Sequence, residues 1–418
     1  MKIAITSDTY YPMTNGVAVF TYNLAKGLAA RGNEVLVLVP SFRKKKYTRT
    51  QDGVKVWYLT SKRFPFYPDQ IHEIPERKKV LGVRLPRIGY RNGLWTAVNP
   101  WFEMEKILAE FQPDVIHLQT VGTTGVAAVH YARKFDVPLV STGHSYPDNY
   151  TGQFKLLKPV KRPADAVLKA YMTSFMKKSS YATMPTELAI ADLVPKNRKR
   201  FKVPVEALSN GIDLSEFKPG KPSKEICEKY KIDTNKPRVL YVGRVDPEKS
   251  ISKVVEAFAQ AVVKVPEAEM LIVGDGIDKA NLEKMVKEKN LQDKVKFLGK
   301  VMLPDLVDVY RTGTLFATAS ETETQGIVLI EAAAVSLPLI AVDAGAVGEL
   351  CQNKKNGFLC EPGDVQGIGN AMVKILSDDK LQKDFSKHSL DIAKKHDINH
   401  TLARFEEIYK KAIELKNS

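Results

Sequence analysis

Residues 320–342 read SETETQGIVLIEAAAVSLPLIAV and place two carboxylates, Glu323 and Glu331, eight positions apart. The stretch changes from small polar residues to apolar ones, which predicts a helix from near Gln325 to about Val335. Glu323 then lies in the loop before the helix, and Glu331 lies about two turns inside it. A loop carboxylate beside the amides of a helix start suits a polar, anionic ligand. The pair alone leaves a second interpretation open, a solvated pair of glutamates near a helix N-terminus.

The length and composition predict two domains in a reduced environment. The chain has 418 residues, of which 44% are hydrophobic, so two domains of about 200 residues each are expected. The three cysteines (Cys227, Cys351 and Cys360) have no CxxC or metal-ligand spacing, which is typical of a cytoplasmic protein without a metal site. The first residues, MKIAITSDTY, read as a strand rather than a signal peptide. The chain has no uninterrupted apolar run of about 18 residues, so no membrane-spanning helix is expected.

The charge is concentrated in the first half of the chain. The whole chain has 63 Lys and Arg against 48 Asp and Glu, a net charge of +15, whereas residues 1–205 have 32 against 15, or 32 − 15 = +17. A basic half indicates an anionic partner such as nucleic acid, an anionic membrane surface or an acidic substrate. A lysine-rich proteome is the alternative explanation. Two stretches stand out, RKKKYTR at 43–49 in an expected loop and residues 155–202 with 12 basic and 3 acidic side chains.

Two further segments of this half could contact a membrane. VLKAYMTSFMKK at 167–178 predicts a helix with flanking lysines and an apolar face formed by Val167, Leu168, Tyr171, Met172 and Phe175. A core helix with a solvated basic face fits the same pattern. RFPFYP at 63–68 could supply aromatic anchors at a membrane interface or simply form a turn with packed aromatic rings.

Apolar runs alternate with amphipathic stretches throughout the chain. The runs are KIAIT, EVLVLV, VKVWYL, DVIHL, PLVST, SYATMP and VEALS in the first half, and RVLYVG, EMLIVG, VKFLG, LFATAS and PLIAV in the second. Helical patterns lie between them, for example at 17–31, 252–263 and 279–289. This alternation predicts an α/β protein with parallel sheets covered by helices on both faces. The expected domains are residues 1–207 and 208–398, with a final helix at 399–418 that packs back on the first domain.

Three strand-to-helix turns carry glycine where an anion could bind. They are TNGVAVF at 14–20 with Gly16, YVGRVDPEKS at 241–250 with Gly243, and LIVGDGIDKANL at 271–282 with Gly274. In the second turn, Arg244 offers a planar fork and Lys249 a point charge, which together suit a diphosphate. The third turn falls short of GxGxxG, so a nicotinamide cofactor is a weak interpretation. No DxD motif is present, so protein groups are expected to neutralise the diphosphate.

Taken together, these motifs resemble glycosyltransferase family 4. In the family's order, the second half contains YVGRVDPEKS, LIVGDG, VKFLGKV and SETETQGIVLIEAAAVSLPLIAV, and the rest of the chain contains SDTYYPMTNGVAVFTYNLAKGLAARGNEVLVLVP, PDVIHLQT and LSNGIDLSEFKP. The resemblance implies the GT-B fold, in which two Rossmann-like parallel-sheet domains face each other across a cleft. It also implies a nucleotide-sugar donor held mainly by the C-terminal domain.

The resemblance further implies roles for individual residues. Arg244 and Lys249 would bind the donor diphosphate, Glu323 would contact the transferred hexose, and Glu331 would bind the ribose hydroxyls. Loop and backbone groups would contact the phosphates, sugar and base, namely those of Gly16, Gly243, Gly274, Lys300, Val301, Gln325, Gly326, Ile327 and Val328. The implied reaction is a metal-independent, retaining, front-face transfer in which the leaving diphosphate helps to deprotonate the acceptor.

The first half departs from the family pattern at two places. Where many relatives carry HxH, this chain has His117 and Gln119, to which the resemblance assigns catalytic roles beside the sugar. TGHSYPDNY at 142–150 resembles a His-Thr-x-Tyr segment with altered spacing, and it places His144 and Tyr146 on the acceptor side. A buried strand histidine is the alternative for His117.

The HxQT, ETQG and YPDNY segments and the basic half resemble bacterial diacylglycerol glucosyltransferases. This resemblance implies transfer of glucose from UDP-glucose to 1,2-diacylglycerol by a peripheral enzyme at the cytoplasmic face of the membrane. Other acceptors remain open, namely phosphatidylinositol, a polysaccharide, a small polyol or a protein. A non-catalytic protein that binds anionic polymers is a remote alternative, because the Arg244, Lys249, Glu323 and Glu331 set is intact and no nucleic-acid-binding motif is visible. No cofactor is expected.

Overall fold

The computed structural model describes residues 1–11, 13, 15–63, 95–147, 161–194 and 201–417. Most of the segment predicted to carry aromatic anchors, and residues 155–160 and 195–200 of the basic segment, lie outside the described residues. The described residues divide into two compact units. Unit 1 comprises those within Met1–Pro147, Arg162–Leu208 and Asn399–Ser418, and unit 2 comprises Lys161 and Ser209–Ile398.

Helices and strands alternate along most of the described chain. The strands are β1 (Lys2–Thr6), β2 (Glu34–Pro40), β3 (Tyr47–Gln51), β4 (Val54–Leu59), β5 (Ser61–Arg63), β6 (Trp95–Ala97), β7 (Val115–Leu118), β8 (Leu139–Thr142), β9 (Tyr181–Met184), β10 (Val205–Ala207), β11 (Arg238–Val242), β12 (Glu269–Val273), β13 (Val295–Gly299), β14 (Leu315–Ala317), β15 (Leu339–Val342) and β16 (Gly357–Cys360). The α-helices are α1 (Gly16–Ala30), α2 (Pro100–Phe111), α3 (Thr123–Lys134), α4 (Lys161–Met176), α5 (Glu187–Leu193), α6 (Lys224–Tyr230), α7 (Ile251–Lys264), α8 (Lys279–Glu288), α9 (Asp305–Arg311), α10 (Ile327–Ala334), α11 (Val347–Leu350), α12 (Val365–Leu376), α13 (Asp379–Ala393) and α14 (Ile398–Asn417).

The main sheet of unit 1 has the strand order β10-β9-β8-β7-β1-β2-β4-β3. Its neighbouring strands are parallel except for the antiparallel pair β3–β4. The chain moves outward from β1 to β2 and later returns to place β7 on the other side of β1. The strand order therefore reverses between β1 and β7, where Ile5 lies opposite His117. Ligands of doubly wound sheets bind beyond the carboxyl ends of the strands at such a reversal.

The sheet of unit 2 is parallel throughout and has the order β13-β12-β11-β14-β15-β16. Here the order reverses between β11 and β14, where Leu240 lies opposite Phe316. Helices cover both faces, and the buried side chains of the strands therefore divide between two apolar clusters. This arrangement explains why β11, β12, β14 and β15 read as continuous apolar runs rather than alternating patterns.

The predicted α/β class is confirmed, and each predicted apolar run contains a strand. The predicted helices at 17–31, 252–263 and 279–289 correspond to α1, α7 and α8. The sequence analysis missed β3, β5, β6 and β16. Three of these, β3, β5 and β6, belong to antiparallel pairs. In β3 the side chains are half-buried or exposed, so no apolar pattern marks it.

The C-terminal helix α14 packs against α1 within unit 1. Leu402 occupies the space beside Gly27, where an added Cβ would lie 2.5 Å from a methyl carbon of Leu402. Beside this contact, Arg31 forms an ion pair with Glu406 at 2.9 Å. The absence of a side chain at Gly27 therefore allows the two helices to approach closely.

Helix α4 divides its apolar residues between the core and solvent. Met172 and Phe175 are buried, whereas Val167 is 71% exposed and Tyr171 is 42% exposed. The stripe expected to lie on one face is therefore partly core, and an apolar strip of this helix remains exposed to solvent. None of the helices in the described ranges is long and apolar enough to cross a membrane.

Candidate active site

The predicted donor-side residues lie in loops at the carboxyl edge of the unit 2 sheet. Arg244 and Lys249 follow β11, Glu323 follows β14, and Lys300 follows β13. Because β11 and β14 are the strands between which the order reverses, two of these loops flank the reversal point directly. The fold therefore brings together residues that are more than 70 positions apart in the sequence.

The two loops are joined by an ion pair. Lys249 Nζ lies 2.6 Å from Glu323 Oε1, and the two side chains are only 15% and 17% exposed. Burial alone would raise the pKa of Glu323, but the charge of Lys249 and the hydrogen bond that Lys249 donates hold that pKa below its usual value. Glu323 is consequently ionised at neutral pH, and its charge is balanced by Lys249.

Arg244 contacts two carboxylates of its own loop. Its guanidinium lies 2.5 Å from Asp246 Oδ2 and 2.5 Å from Glu248 Oε1. Asp246 is further fixed because its Oδ1 accepts a hydrogen bond from the Ile277 amide at 3.0 Å. Burial raises the pKa of Asp246 although the neighbouring Arg244 opposes the shift. An anionic ligand that binds Arg244 would therefore compete with these two carboxylates.

Helix α10 begins at the same edge of the sheet. Its N-cap is Gly326, which has φ +81° and supplies no side-chain hydrogen bond. No acidic residue occupies the first turn, which Ile327 and Val328 open. The amides of a helix start and the helix dipole favour an anion at such a position.

Glu331 lies inside α10 and is hydrogen-bonded to Tyr310. The Tyr310 hydroxyl donates to Glu331 Oε2 at 2.7 Å. Burial raises the pKa of Glu331 to about 7, against the lowering effect of the Tyr310 hydrogen bond and with a smaller raising effect of Glu216. This carboxyl group therefore changes charge near neutral pH.

The glycines after β11 and β12 allow two loops to touch. Gly274 has φ +134°, and a Cβ on it would lie 1.8 Å from the carbonyl oxygen of Gly243. A Cβ on Gly276 would lie 2.1 Å from the carbonyl oxygen of Val245. Close packing of the two loops therefore explains both glycines of the GxG sequence, without a bound ligand.

Val301, which the resemblance placed beside the base, is buried in the unit 2 core.

The predicted residues of unit 1 behave differently. His117 is fully buried, and its Nδ1 and Nε2 lie 2.7 Å from the Tyr409 hydroxyl and the Thr142 hydroxyl, respectively. Burial, with a smaller effect of His144, lowers the pKa of His117 to about 3. With both ring nitrogens engaged inside unit 1, the geometry favours a buried strand histidine over contact with a substrate.

Gln119 and His144 lie together at the carboxyl edge of the unit 1 sheet. His144 Nε2 is 2.7 Å from Gln119 Oε1, and the His144 ring contacts Phe20 of α1 at a centroid distance of 5.0 Å. Burial lowers the pKa of His144 to about 3. Tyr146 is half-buried against a separate small apolar cluster. Gly16 is the first residue of α1, capped by the side chain of the preceding asparagine.

Several residues of these sites were missed from the sequence. Glu248 stands four positions after Arg244, a helix-like spacing that could have suggested the pair. Tyr310 carries no local signal because it lies 21 positions before Glu331. Asp8 was also missed because it carries no local sequence signal. Its carboxylate accepts hydrogen bonds from the Thr120 hydroxyl at 2.5 Å and the Thr124 amide at 3.3 Å. In the described ranges, no group of three or more His, Cys, Asp and Glu side chains could hold a metal ion.

Two Rossmann-like parallel-sheet units, with a loop carrying Arg244 and Lys249 and a helix start at the reversal point of the second, define the GT-B class of fold. Two family models match the sequence: Glycosyltransferase Family 4 over residues 14–216 and Glycosyl transferases group 1 over residues 222–390. The chain belongs to the family 4 glycosyltransferases. It is accordingly a retaining glycosyltransferase that uses a nucleotide sugar.

Curated relatives match most of the chain at modest identity. The alpha-monoglucosyldiacylglycerol synthase of Acholeplasma laidlawii is 27% identical over 86% of this chain and 84% of its own. The GDP-mannose-dependent alpha-mannosyltransferase of Mycobacterium tuberculosis is also 27% identical, over 88% of this chain and 85% of its own.

Solved structures confirm the fold. The sucrose-phosphate synthase of Thermosynechococcus elongatus superposes with a TM-score of 0.76 over 98% of both chains, at 20% identity. HepE of Anabaena, determined in complex with UDP-glucose, superposes with a TM-score of 0.69 over 98% of this chain and 99% of its own, at 18% identity.

Proposed function

We propose that this chain transfers a hexose, namely glucose, from UDP-glucose to a lipid acceptor such as 1,2-diacylglycerol. The observation that carries the donor site is the Lys249–Glu323 ion pair, which spans the reversal point of the unit 2 sheet beside the start of α10. A cation, a carboxylate and a helix start at one edge match the parts of a nucleotide sugar. The diphosphate needs positive charge, and the hexose needs a hydrogen-bond acceptor.

In this proposal each group of unit 2 has one role. Arg244, Lys249 and the first-turn amides of α10 bind the diphosphate, whose negative charge grows as the sugar departs. Removing one such preorganised donor costs about 2.7–4 kcal/mol of transition-state stabilisation. Glu323 accepts hydrogen bonds from the hexose hydroxyls, and Glu331 accepts them from the ribose. The chemistry requires no metal because protein groups balance the diphosphate charge.

The retaining outcome follows from a front-face reaction in this proposal. The acceptor hydroxyl attacks the anomeric carbon from the side of the leaving group, the glycosidic bond to the diphosphate breaks, and the acceptor proton passes to the departing phosphate oxygen. Lys249 stabilises that oxygen, and Glu323 holds the hexose in place. Gln119 and His144 of unit 1 are proposed to lie on the acceptor side. His117 acts in this scheme through packing only.

The lipid acceptor is supported by the relatives and by the surface of unit 1. A relative that covers most of the chain is named an alpha-monoglucosyldiacylglycerol synthase, after a glucosylated diacylglycerol. On helix α4, the exposed Val167 and Tyr171 are followed by exposed Lys177 and Lys178. Exposed lysines also occupy the loop before β3, within residues 43–46. An apolar strip with basic neighbours suits peripheral binding to an anionic membrane, at about 1 kcal/mol for each lysine near the surface.

A second donor is favoured by one specific comparison. The mycobacterial relative, which is also 27% identical and covers 88% of this chain, is named for GDP-mannose. GDP-mannose is therefore the donor that should be tested beside UDP-glucose.

The proposal is tested by product analysis with vesicles of anionic phospholipid that contain diacylglycerol. Radiolabelled UDP-glucose or GDP-mannose is added with and without EDTA, and the lipid extract is separated by chromatography. We expect a labelled glycolipid from UDP-glucose that survives EDTA and is absent with Glu323→Gln. UDP release without a labelled lipid would overturn the lipid acceptor, and loss of product in EDTA would overturn the metal-independent mechanism.

A further inference from the structure

The side chain of Gln325, directly before the N-cap of α10, turns away from solvent and is 3% exposed. Its Oε1 accepts a hydrogen bond from the Asn210 amide at 3.1 Å, and its Nε2 donates to the Ser209 hydroxyl at 2.7 Å. A backbone N–H can only donate, so the contact with Asn210 fixes which end of the carboxamide is oxygen. Both hydrogen bonds therefore need a side chain that accepts and donates at once.

Ser209 also contacts two groups other than Gln325. Its hydroxyl oxygen also accepts from the Gly211 amide at 3.1 Å and lies 2.8 Å from His396 Nδ1. A hydroxyl has two lone pairs and one proton. Ser209 therefore links the carboxamide of Gln325 to the imidazole ring of His396. Burial, with a smaller effect of Lys395, lowers the pKa of His396 to about 4, which agrees with a neutral ring.

The segments that carry Ser209 and His396 are paired through their backbones. The Ile212 amide donates to the His396 carbonyl at 2.8 Å, and the Ile398 amide donates to the Ile212 carbonyl at 2.9 Å. These segments also mark the ends of unit 2, because unit 1 stops at Leu208 and resumes at Asn399. The hydrogen-bond chain from Gln325 thus ties the start of α10 to the first and last segments of unit 2.

We propose that Gln325 is a positioning residue for the donor site. Its carboxamide fixes the start of α10 to the paired segments 209–212 and 396–398, and so fixes the direction of the first-turn amides that bind the diphosphate. This inference rests on the proposed function. It gives Gln325 a side-chain role in addition to the backbone role that the family resemblance implied. Ser209 and His396 act through Gln325 and contact no substrate.

The test compares the full-length chain with Gln325→Glu, Ser209→Ala and Ser209→Thr. Glutamate keeps the shape of glutamine but cannot donate to Ser209, and threonine restores the hydroxyl that alanine removes. Gln366→Glu is the matched control, because Gln366 is an exposed glutamine of α12. UDP affinity is measured by calorimetry, donor KM and kcat by UDP release, and folding by the melting temperature.

We expect Gln325→Glu and Ser209→Ala to weaken UDP binding and raise donor KM roughly tenfold or more, with a smaller change in kcat. Ser209→Thr and Gln366→Glu should stay within about twofold of the wild type. A second readout does not depend on activity. Long-range ¹H–¹⁵N spectra should show a changed tautomer population of His396 in Ser209→Ala relative to the wild type.

Two outcomes would overturn the inference alone. One is wild-type UDP affinity and donor KM in both Gln325→Glu and Ser209→Ala, and the other is an unchanged tautomer population of His396 in Ser209→Ala. If the wild type bound neither UDP nor GDP, the proposed function would fail, and the positioning role would fail with it.

Discussion

Replacing Lys249 with alanine tests the donor site most severely, because it leaves Glu323 buried without its cation. The two side chains are 15% and 17% exposed and lie 2.6 Å apart. Breaking a buried ion pair by removing one partner costs about 3–5 kcal/mol, and the remaining exposure places this pair near the lower end. The variant should also lose one diphosphate ligand, which corresponds to about 10²–10³-fold in kcat.

The pH dependence of Lys249→Ala has a defined sign. The folded-state pKa of Glu323 is lower than usual, so the ion pair stabilises the fold above the unfolded pKa of about 4.3. This contribution disappears as the pH falls through the lower, folded pKa. The difference in unfolding free energy between wild type and variant should therefore be full at pH 7 and shrink below about pH 4.3.

Lys253→Ala is the matched control for this variant. Lys253, in the first turn of α7, pairs with Glu321 of the β14 loop at 3.0 Å, but these side chains are 34% and 43% exposed. An exposed pair contributes about 0.2–1 kcal/mol, and kcat should be unchanged. Urea denaturation and UDP-release kinetics measure both effects. Equal losses of stability and of kcat in the two variants would refute the reasoning, because they would give the buried pair no special role.

Three further changes probe the neighbouring groups. In the wild type, we expect UDP to bind more tightly above a pH midpoint of about 7, where Glu331 becomes ionised. Tyr310→Phe removes the hydrogen bond that lowers the pKa of Glu331, so this midpoint should move to higher pH in calorimetric titrations. Glu248→Gln removes one competitor for Arg244 and should lower donor KM roughly two- to fivefold at constant kcat in steady-state kinetics. Gly274→Ala places a Cβ 1.8 Å from a carbonyl oxygen and should cost more than about 2 kcal/mol in urea denaturation.

For each of these three variants, a specific result would contradict the prediction. An unchanged pH midpoint in Tyr310→Phe would mean that Glu331 does not govern donor binding. A higher donor KM in Glu248→Gln would mean that this carboxylate supports the diphosphate contact rather than competing with it. Gly363→Ala is the control for Gly274, since Gly363 has φ +86° and no atom within 4 Å of an added Cβ. If both glycine-to-alanine changes lowered the free energy of unfolding equally, the positive φ alone would explain the loss, and the contact with the carbonyl oxygen would contribute nothing.

The fold could be predicted from the sequence because parallel strands that are buried on both faces have continuous apolar sequences. Strands β11 and β12, for example, are buried at each position and stand out as RVLYV and EMLIV. The edge strand β3 reads YTRTQ and is mostly exposed, so neither an apolar run nor an alternation marks it. Local periodicity therefore detects the buried interior strands and misses an exposed edge strand such as β3.

Only part of the candidate site could be predicted from the sequence. Arg244 and Lys249 share one loop, and the Glu323–Glu331 spacing is local, so pattern reasoning found them. Partners that the fold brings from elsewhere in the chain, such as Tyr310 beside Glu331, leave no trace in a local window. His117 shows the opposite difficulty, because the sequence position suggested contact with a substrate and the structure buries the ring against Tyr409, 292 positions away.

The central claim is that the nucleotide sugar binds where the β11 loop, the β14 loop and the start of α10 meet in unit 2. A crystal structure of the wild-type protein with bound UDP-glucose tests this claim most directly. We predict diphosphate oxygens within hydrogen-bonding distance of Lys249 and the first-turn amides of α10, ribose hydroxyls on Glu331 and hexose hydroxyls on Glu323. A diphosphate bound elsewhere, with the Lys249–Glu323 pair and Glu331 untouched by ligand, would contradict the account.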